Sequence, residues 1–139
     1  LDRQRSELLE RRNHRYVELL NISKRQVHHV HNEDWLEDLD GFIALMGEWA
    51  MARQELDKLN EQIAVEGLSP EELENYNEAI RPSVIEAMDN QQFIEQKFQD
   101  QFLELSKSMK SVRDQQTVLQ AYYGTRRTEF EPIYFDEKK

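Results

Sequence analysis

Ser69-Pro70-Glu71-Glu72 opens, and Leu119-Gln120-Ala121-Tyr122-Tyr123-Gly124 closes, the stretch on which the fold turns. The opening carries a serine N-cap, a proline at the first helical position and a glutamate three residues after the cap, the residue order of a helix start. The close is an apolar-aromatic run stopped by glycine. Between them lie no glycine and one proline, Pro82. Phe98, Phe102, Leu105, Met109, Val112, Leu119 and Tyr123 recur at a 4-3-4-3 spacing, with Gln116 the one polar step. Such spacing draws an apolar stripe along one side of a helix. At about 1.5 Å per residue, one helix through the stretch would reach roughly 80 Å. Other helices are expected to lie along it, or part of it to project.

Working backward, Leu68 and Gly67 precede the cap, and Gly67 is the expected C-cap of a second helix. That helix carries Trp35, Leu39, Phe42, Met46, Trp49, Leu56 and Ile63 as one stripe, with Arg53 and Asn60 at its two polar steps and Leu36, Ile43 and Leu59 widening it. Asn32-Glu33-Asp34 breaks the pattern before it and offers an Asn or Asp N-cap. Gly41 and Gly47 are poor helix residues, each costing about 1 kcal/mol against alanine, and point to a close crossing or a bend. A first helix precedes the break, with Leu8, Leu9, Tyr16, Leu19, Leu20, Val27 and Val30 on its apolar side and Arg11, Arg12 and Arg15 on one flank, placed to pair with the acidic second helix.

Two short turns between three stripes predict an all-α, elongated antiparallel three-helix bundle over about 3–31, 33–66 and 70–123, without strands. Arg81-Pro82 conflicts with an unbroken third helix, because an interior proline removes one hydrogen bond and disfavours helical geometry before it. A kink or break is expected near 78–82, with Leu73, Tyr76 and Ile80 packing before it and Val84, Ile85, Met88, Ile94 and Phe98 after it. The helical domain spans 1–124 and a short tail 125–139, where Phe130, Ile133, Tyr134 and Phe135 are too few for an independent helix.

Composition narrows the function classes. The chain has 139 residues, 38% hydrophobic and 33% charged, with four glycines, three prolines and no cysteine. Those values suit an elongated helical protein with a thin core, and exclude a disulfide framework, a thiolate metal site and a cysteine nucleophile. The longest apolar runs are a few residues, far below the roughly 20 of a membrane span. No signal peptide is legible, and the start at Leu1 is expected of a processed, trimmed or fused chain. Residues 1–31 carry seven basic and four acidic side chains, net +3; residues 32–100 carry four and eighteen, net −14; residues 101–139 carry seven and six, net +1. An acidic middle argues against nucleic acid. It reads first as a solvated helix surface, and more sharply as a field that steers a basic partner.

Catalytic constellations are absent. There is no glycine-rich phosphate loop, no Gly-x-Ser-x-Gly, no Glu-x-x-His and no set joining a histidine, a carboxylate and a nucleophile. His28 and His31, one turn apart, could chelate an ion, but imidazoles also suit the carbonyls of a helix C-terminus. The expectation is no enzyme, no cofactor and no metal site. The apolar excess from Ile94 to Val112 (Phe98, Phe102, Leu105 and Met109 between them) points to a groove for a partner's amphipathic helix; the competing reading makes the same residues ordinary core.

Ala79-Ile80-Arg81-Pro82, then Ala87-Met88-Asp89-Asn90-Gln91, then Val118-Leu119-Gln120-Ala121-Tyr122-Tyr123-Gly124 resembles the third helix and exit of FliT-type flagellar export chaperones, where Leu-Arg-Pro, Leu-Asp-Asn-Glu and Val-Leu-x-Ala-Tyr-Gly stand at similar spacing. Asn32-Glu33-Asp34-Trp35-Leu36 is similar to the acidic-Trp start of that family's second helix. The resemblance covers roughly residues 12–124. The chain departs from the family in residues 1–11, in the doubled tyrosine, and in Glu131-Pro132-Ile133-Tyr134-Phe135-Asp136, which stands where some members carry a fourth helix. The resemblance implies a chaperone of the bacterial cytosol that holds the filament cap protein FliD, hands it to the export gate protein FlhA and touches the export ATPase complex. Ile94, Phe98, Phe102, Leu105, Met109 and Val112 would then hold the client, and Tyr122, with Tyr123 as second choice, would dock on the gate. Adjacent helical residues point about 100° apart, and Tyr123 continues the stripe, which leaves Tyr122 outward. Two alternatives remain: a FlgN-type chaperone of hook-filament junction proteins, and a structural coiled-coil adaptor that self-associates.

Overall fold

The computed structural model describes residues 2–32, 35, 38–108, 116–117 and 119–120, with backbone alone for Asp2 and for 102–108. Three helices account for nearly all of them: α1 (Asp2–His31), α2 (Leu39–Glu66) and α3 (Pro70–Ser108). They are antiparallel in sequence, α1 packs against both α2 and α3, and the described residues contain no strand. At its 39 residues, α3 is about 58 Å long.

The turn between α2 and α3 forms as its residues dictate. Gly67 takes the left-handed conformation at φ 65° and donates its N–H to the Ala64 carbonyl, a backbone state that glycine enters without a Cβ penalty. The Ser69 N–H donates to Glu72 Oε1 at 2.9 Å, and the Glu72 N–H donates to Ser69 Oγ at 3.2 Å: a reciprocal capping box. From the start of α1, Arg5 reaches both sides of this turn, 3.9 Å from the Glu66 carboxylate and 3.8 Å from that of Glu72, and donates to the Glu66 carbonyl.

The first connection differs from expectation. Neither Asn32 nor Asp34 caps the second helix, and Trp35 is not on it. The cap is Asp38, whose Oδ1 accepts the Gly41 N–H at 3.0 Å. Trp35 sits in a tight turn before it, buried, with its Nε1 donating to Gln101 Oε1 of α3 at 2.7 Å. The Asp38 N–H donates to the Trp35 carbonyl at 3.1 Å, which ties the cap to the turn that carries the buried indole.

Pro82 lies inside α3 without breaking it; helix runs continuously through 78–82. The roughly 3 kcal/mol that an interior proline costs is offset by the flanking Ile80 and Val84, both buried against Tyr16, Leu19, Trp49 and Leu56. Ile85 and Met88, expected inside, are exposed. The described part of α3 ends at Ser108, and most of the expected continuation to 123 lies outside the described residues. Leu119, helical, packs against the cluster that holds Ile94 and Phe98, whereas 21 further residues of straight helix would carry it about 31 Å beyond Phe98.

The core is layered along the axis. Leu9 and Ile63 close the end near the second turn. Next comes a polar layer, with Arg12 fully buried and donating to Asn77 Oδ1 at 2.8 Å and to Asn13 Oδ1 at 2.8 Å. Arg12 thus meets an amide of α3; of the three arginines on that flank, Arg15 makes the expected bridge to α2, to Glu55 at 3.2 Å. An apolar cluster of Tyr16, Leu19, Ile22, Trp49, Ala52, Leu56, Ile80 and Val84 follows. A second polar layer joins α1 to α3 through Asn90 and Ser23 at 3.0 Å and through Gln91 and Gln26 at 2.7 Å. The far end holds Val30, Trp35, Phe42, Met46, Ile94 and Phe98.

Candidate docking surfaces

The expected client residues, and the expected gate residues Tyr122 and Tyr123, divide into three groups. Ile94 and Phe98 are 1% and 2% exposed, inside the far-end cluster. Phe102 and Leu105 lie on α3 where the backbone alone is described. Met109, Val112, Tyr122 and Tyr123 lie outside the described residues. Two of the six groove positions therefore serve the chain's own core, and the bundle already covers them.

The exposed apolar side chains of α3 lie elsewhere. Ile85 is 52% exposed and Met88 41%. With Pro82 they fall on the outward side of the helix, because Ile80, Val84 and Ala87 take the inward positions. A shallow groove there is lined by Glu78, Arg81, Pro82, Ile85, Glu86 and Asp89. Arg81 donates to Glu78 at 3.5 Å, and Lys24 of α1 stands 3.9 Å from Glu86. Phe93, also partly exposed, is in contact with His31, their ring centroids 5.1 Å apart.

The histidines at the end of α1 have structural neighbours. His29 Nε2 lies 3.2 Å from the Asp38 carbonyl oxygen, a contact in which the ring nitrogen is the donor, and its ring meets Trp35 edge-on at 6.5 Å and Phe42 at 6.4 Å. No group of three or more potential metal-binding side chains occurs among the described residues. No described helix is long and apolar enough to cross a membrane.

Among the described residues, two groups titrate away from their ordinary values. Burial pushes the Tyr16 phenol up, opposed by the nearby Arg12 guanidinium and the Asn60 amide. Arg12 also stands over the Tyr16 ring, 5.6 Å from its centroid, within cation–π range. The Ser69 backbone N–H, aided by the Ser69 hydroxyl and Arg5, holds the Glu72 carboxyl below its usual value. Both belong to the scaffold. What the described surface offers chemically is contact: apolar side chains beside carboxylates, on a rigid helix.

Sequence reasoning missed this outer face, because a stripe search rewards residues that point inward. The signal was available in Pro82, Ile85 and Met88, which recur at three-residue intervals, off the phase of Ile80, Val84 and Ala87. Comparison with protein-family models, with curated proteins and with solved structures finds no match for this chain.

Proposed function

We propose that this chain is a FliT-type flagellar export chaperone, which holds the filament cap protein FliD in the cytosol, delivers it to the export gate protein FlhA and meets the export ATPase complex. The observation that carries this reading is the ordered set of motifs, Ala79–Pro82, Ala87–Gln91 and Val118–Gly124. An antiparallel bundle of three helices, with the first two motifs on the longest of them, is the architecture such a role requires. No covalent chemistry is involved: an amphipathic client helix laid along a helical groove is shielded from premature self-assembly.

Because Ile94 and Phe98 are enclosed by the bundle, the client surface in this proposal shifts to Phe102, Leu105, Met109 and Val112. Tyr122 keeps its role as gate anchor, with Tyr123 second. The test is co-purification of the chain with the C-terminal segment of the cap protein and, in parallel, with the hook-filament junction proteins. Co-elution with the cap segment alone supports the proposal. Co-elution with the junction proteins alone transfers it to the FlgN type. Binding to neither, together with self-association in sedimentation, leaves the coiled-coil adaptor.

A further inference from the structure

We infer that the outer face of α3 around Pro82, Ile85 and Met88 is a docking surface for a partner segment whose apolar anchor is flanked by lysine or arginine. This surface lies outside the client residues named above and does not depend on the family assignment. Three apolar side chains adjoin on a face that the bundle does not use, and Ile85, half exposed, stands at its centre. Isolated exposed apolar residues need no explanation, but an adjoining set rimmed by charge is the pattern of an interaction site.

Charge selects the occupant. Glu78, Glu86 and Asp89 line the groove; Arg81 donates to Glu78 and Lys24 of α1 stands 3.9 Å from Glu86, so three carboxylates face two cations and Asp89 is the acid to which neither is bridged. The rim lies within the stretch that carries net −14. A lysine or arginine beside an apolar anchor meets these carboxylates. A second copy of the chain fits poorly. Two such faces packed antiparallel about Ile85 would bring Asp89 of one beside Pro82 and Glu78 of the other, acid against acid, in a chain of net charge −10.

The test uses the full chain, labelled with nitrogen-15, and a synthetic amphipathic helical peptide with a leucine face flanked by lysines. Two control peptides replace the lysines by glutamates or the leucines by serines. The leucine-lysine peptide is expected to shift amide signals centred on residues 78–89. Ile85→Ser should weaken it about fivefold or more, and Glu86→Lys with Asp89→Lys about tenfold, with the helical circular dichroism of each variant unchanged because these side chains lie outside the core. The glutamate peptide should not bind. Shifts centred elsewhere, equal binding of the serine-lysine peptide, or indifference to Ile85→Ser would overturn the inference. So would a fall in sedimentation coefficient on Ile85→Ser, which marks a second copy as the occupant, or movement of the signals of 121–139 in that variant without peptide, which marks the chain's own tail.

Discussion

Phe42 of α2 and Phe98 of α3 lie face to face, their ring planes 4° apart and their centroids 6.1 Å apart. Trp35 closes on the same pair, 5.1 Å from Phe42. Three elements that begin or pass at one end of the bundle are thus joined by aromatic side chains, over and above the packing each helix makes on α1. Phe98→Ala should lower the stability of the chain by about 3–4 kcal/mol, through lost burial and an unfilled cavity. Chemical denaturation with a constant slope would measure it. A loss under 1 kcal/mol would mean that Phe98 is not core.

The two glycines of α2 should respond with opposite signs. A Cβ on Gly41 would come within 2.5 Å of Asp38 Oδ2 and 3.0 Å of His29 Cε1, while a Cβ on Gly47 would meet nothing within 4 Å. Gly47→Ala should stabilise the chain by about 0.5–1 kcal/mol through helix propensity. Gly41→Ala should destabilise it by about 1 kcal/mol, because the added methyl displaces the capping carboxylate. Thermal unfolding of the two variants side by side checks the contrast.

Arg12 and Asn77 meet across 65 positions of sequence with both side chains buried. Asn77→Ala should cost about 1.5–3 kcal/mol, since it removes one acceptor from a buried charged donor. In a double-mutant cycle with Arg12→Met, the coupling energy should be about 1–2 kcal/mol. A coupling near zero would show that the two side chains act independently.

The capping box gives the α2–α3 turn an acid-sensitive element. The folded Glu72 carboxyl titrates below its usual 4.5, mainly because it accepts the Ser69 N–H. The folded state therefore favours the ionised form. The contribution is fully present above the unfolded value and is lost as pH falls through the lower folded value. Glu72→Gln should flatten that part of the acid limb of the stability curve. Ser69→Ala should cost about 1 kcal/mol at neutral pH. An acid limb unchanged by Glu72→Gln would refute the assignment.

Phe102→Asp tests the proposed client surface. Cap-protein binding should be abolished while helical circular dichroism and the unfolding midpoint stay close to those of the parent. If the variant unfolds, Phe102 belongs to the core with Phe98. Tyr122→Ala, measured by calorimetry against the gate protein, should lose about 2 kcal/mol of binding. If gate affinity is unchanged in both Tyr122→Ala and Tyr123→Ala, the gate assignment fails.

The sequence by itself determined what local rules decide. Three helices are legible from their apolar periods, and the end of α2 and start of α3 from Gly67, Ser69, Pro70 and Glu72, because a left-handed cap and a capping box involve residues within a few positions of one another. The inward positions of Phe42, Met46, Trp49, Leu56, Ile63, Ile94 and Phe98 are equally readable. Of the candidate site, the same spacing could not say whether a partner or the chain itself covers Ile94 and Phe98, since both uses leave one stripe. Only the tertiary structure decided that, along with everything that rests on distant partners. Asp38 caps α2 just after a turn in which Trp35 is buried and donates to Gln101, 66 positions away. Arg12 enters the core because Asn77 of α3 is there to accept from it. Pro82 stays helical because Ile80 and Val84 are held on either side of it by Tyr16, Trp49 and Leu56. In each case a local preference worth one to a few kcal/mol is outweighed by burial that exists only once the helices have met.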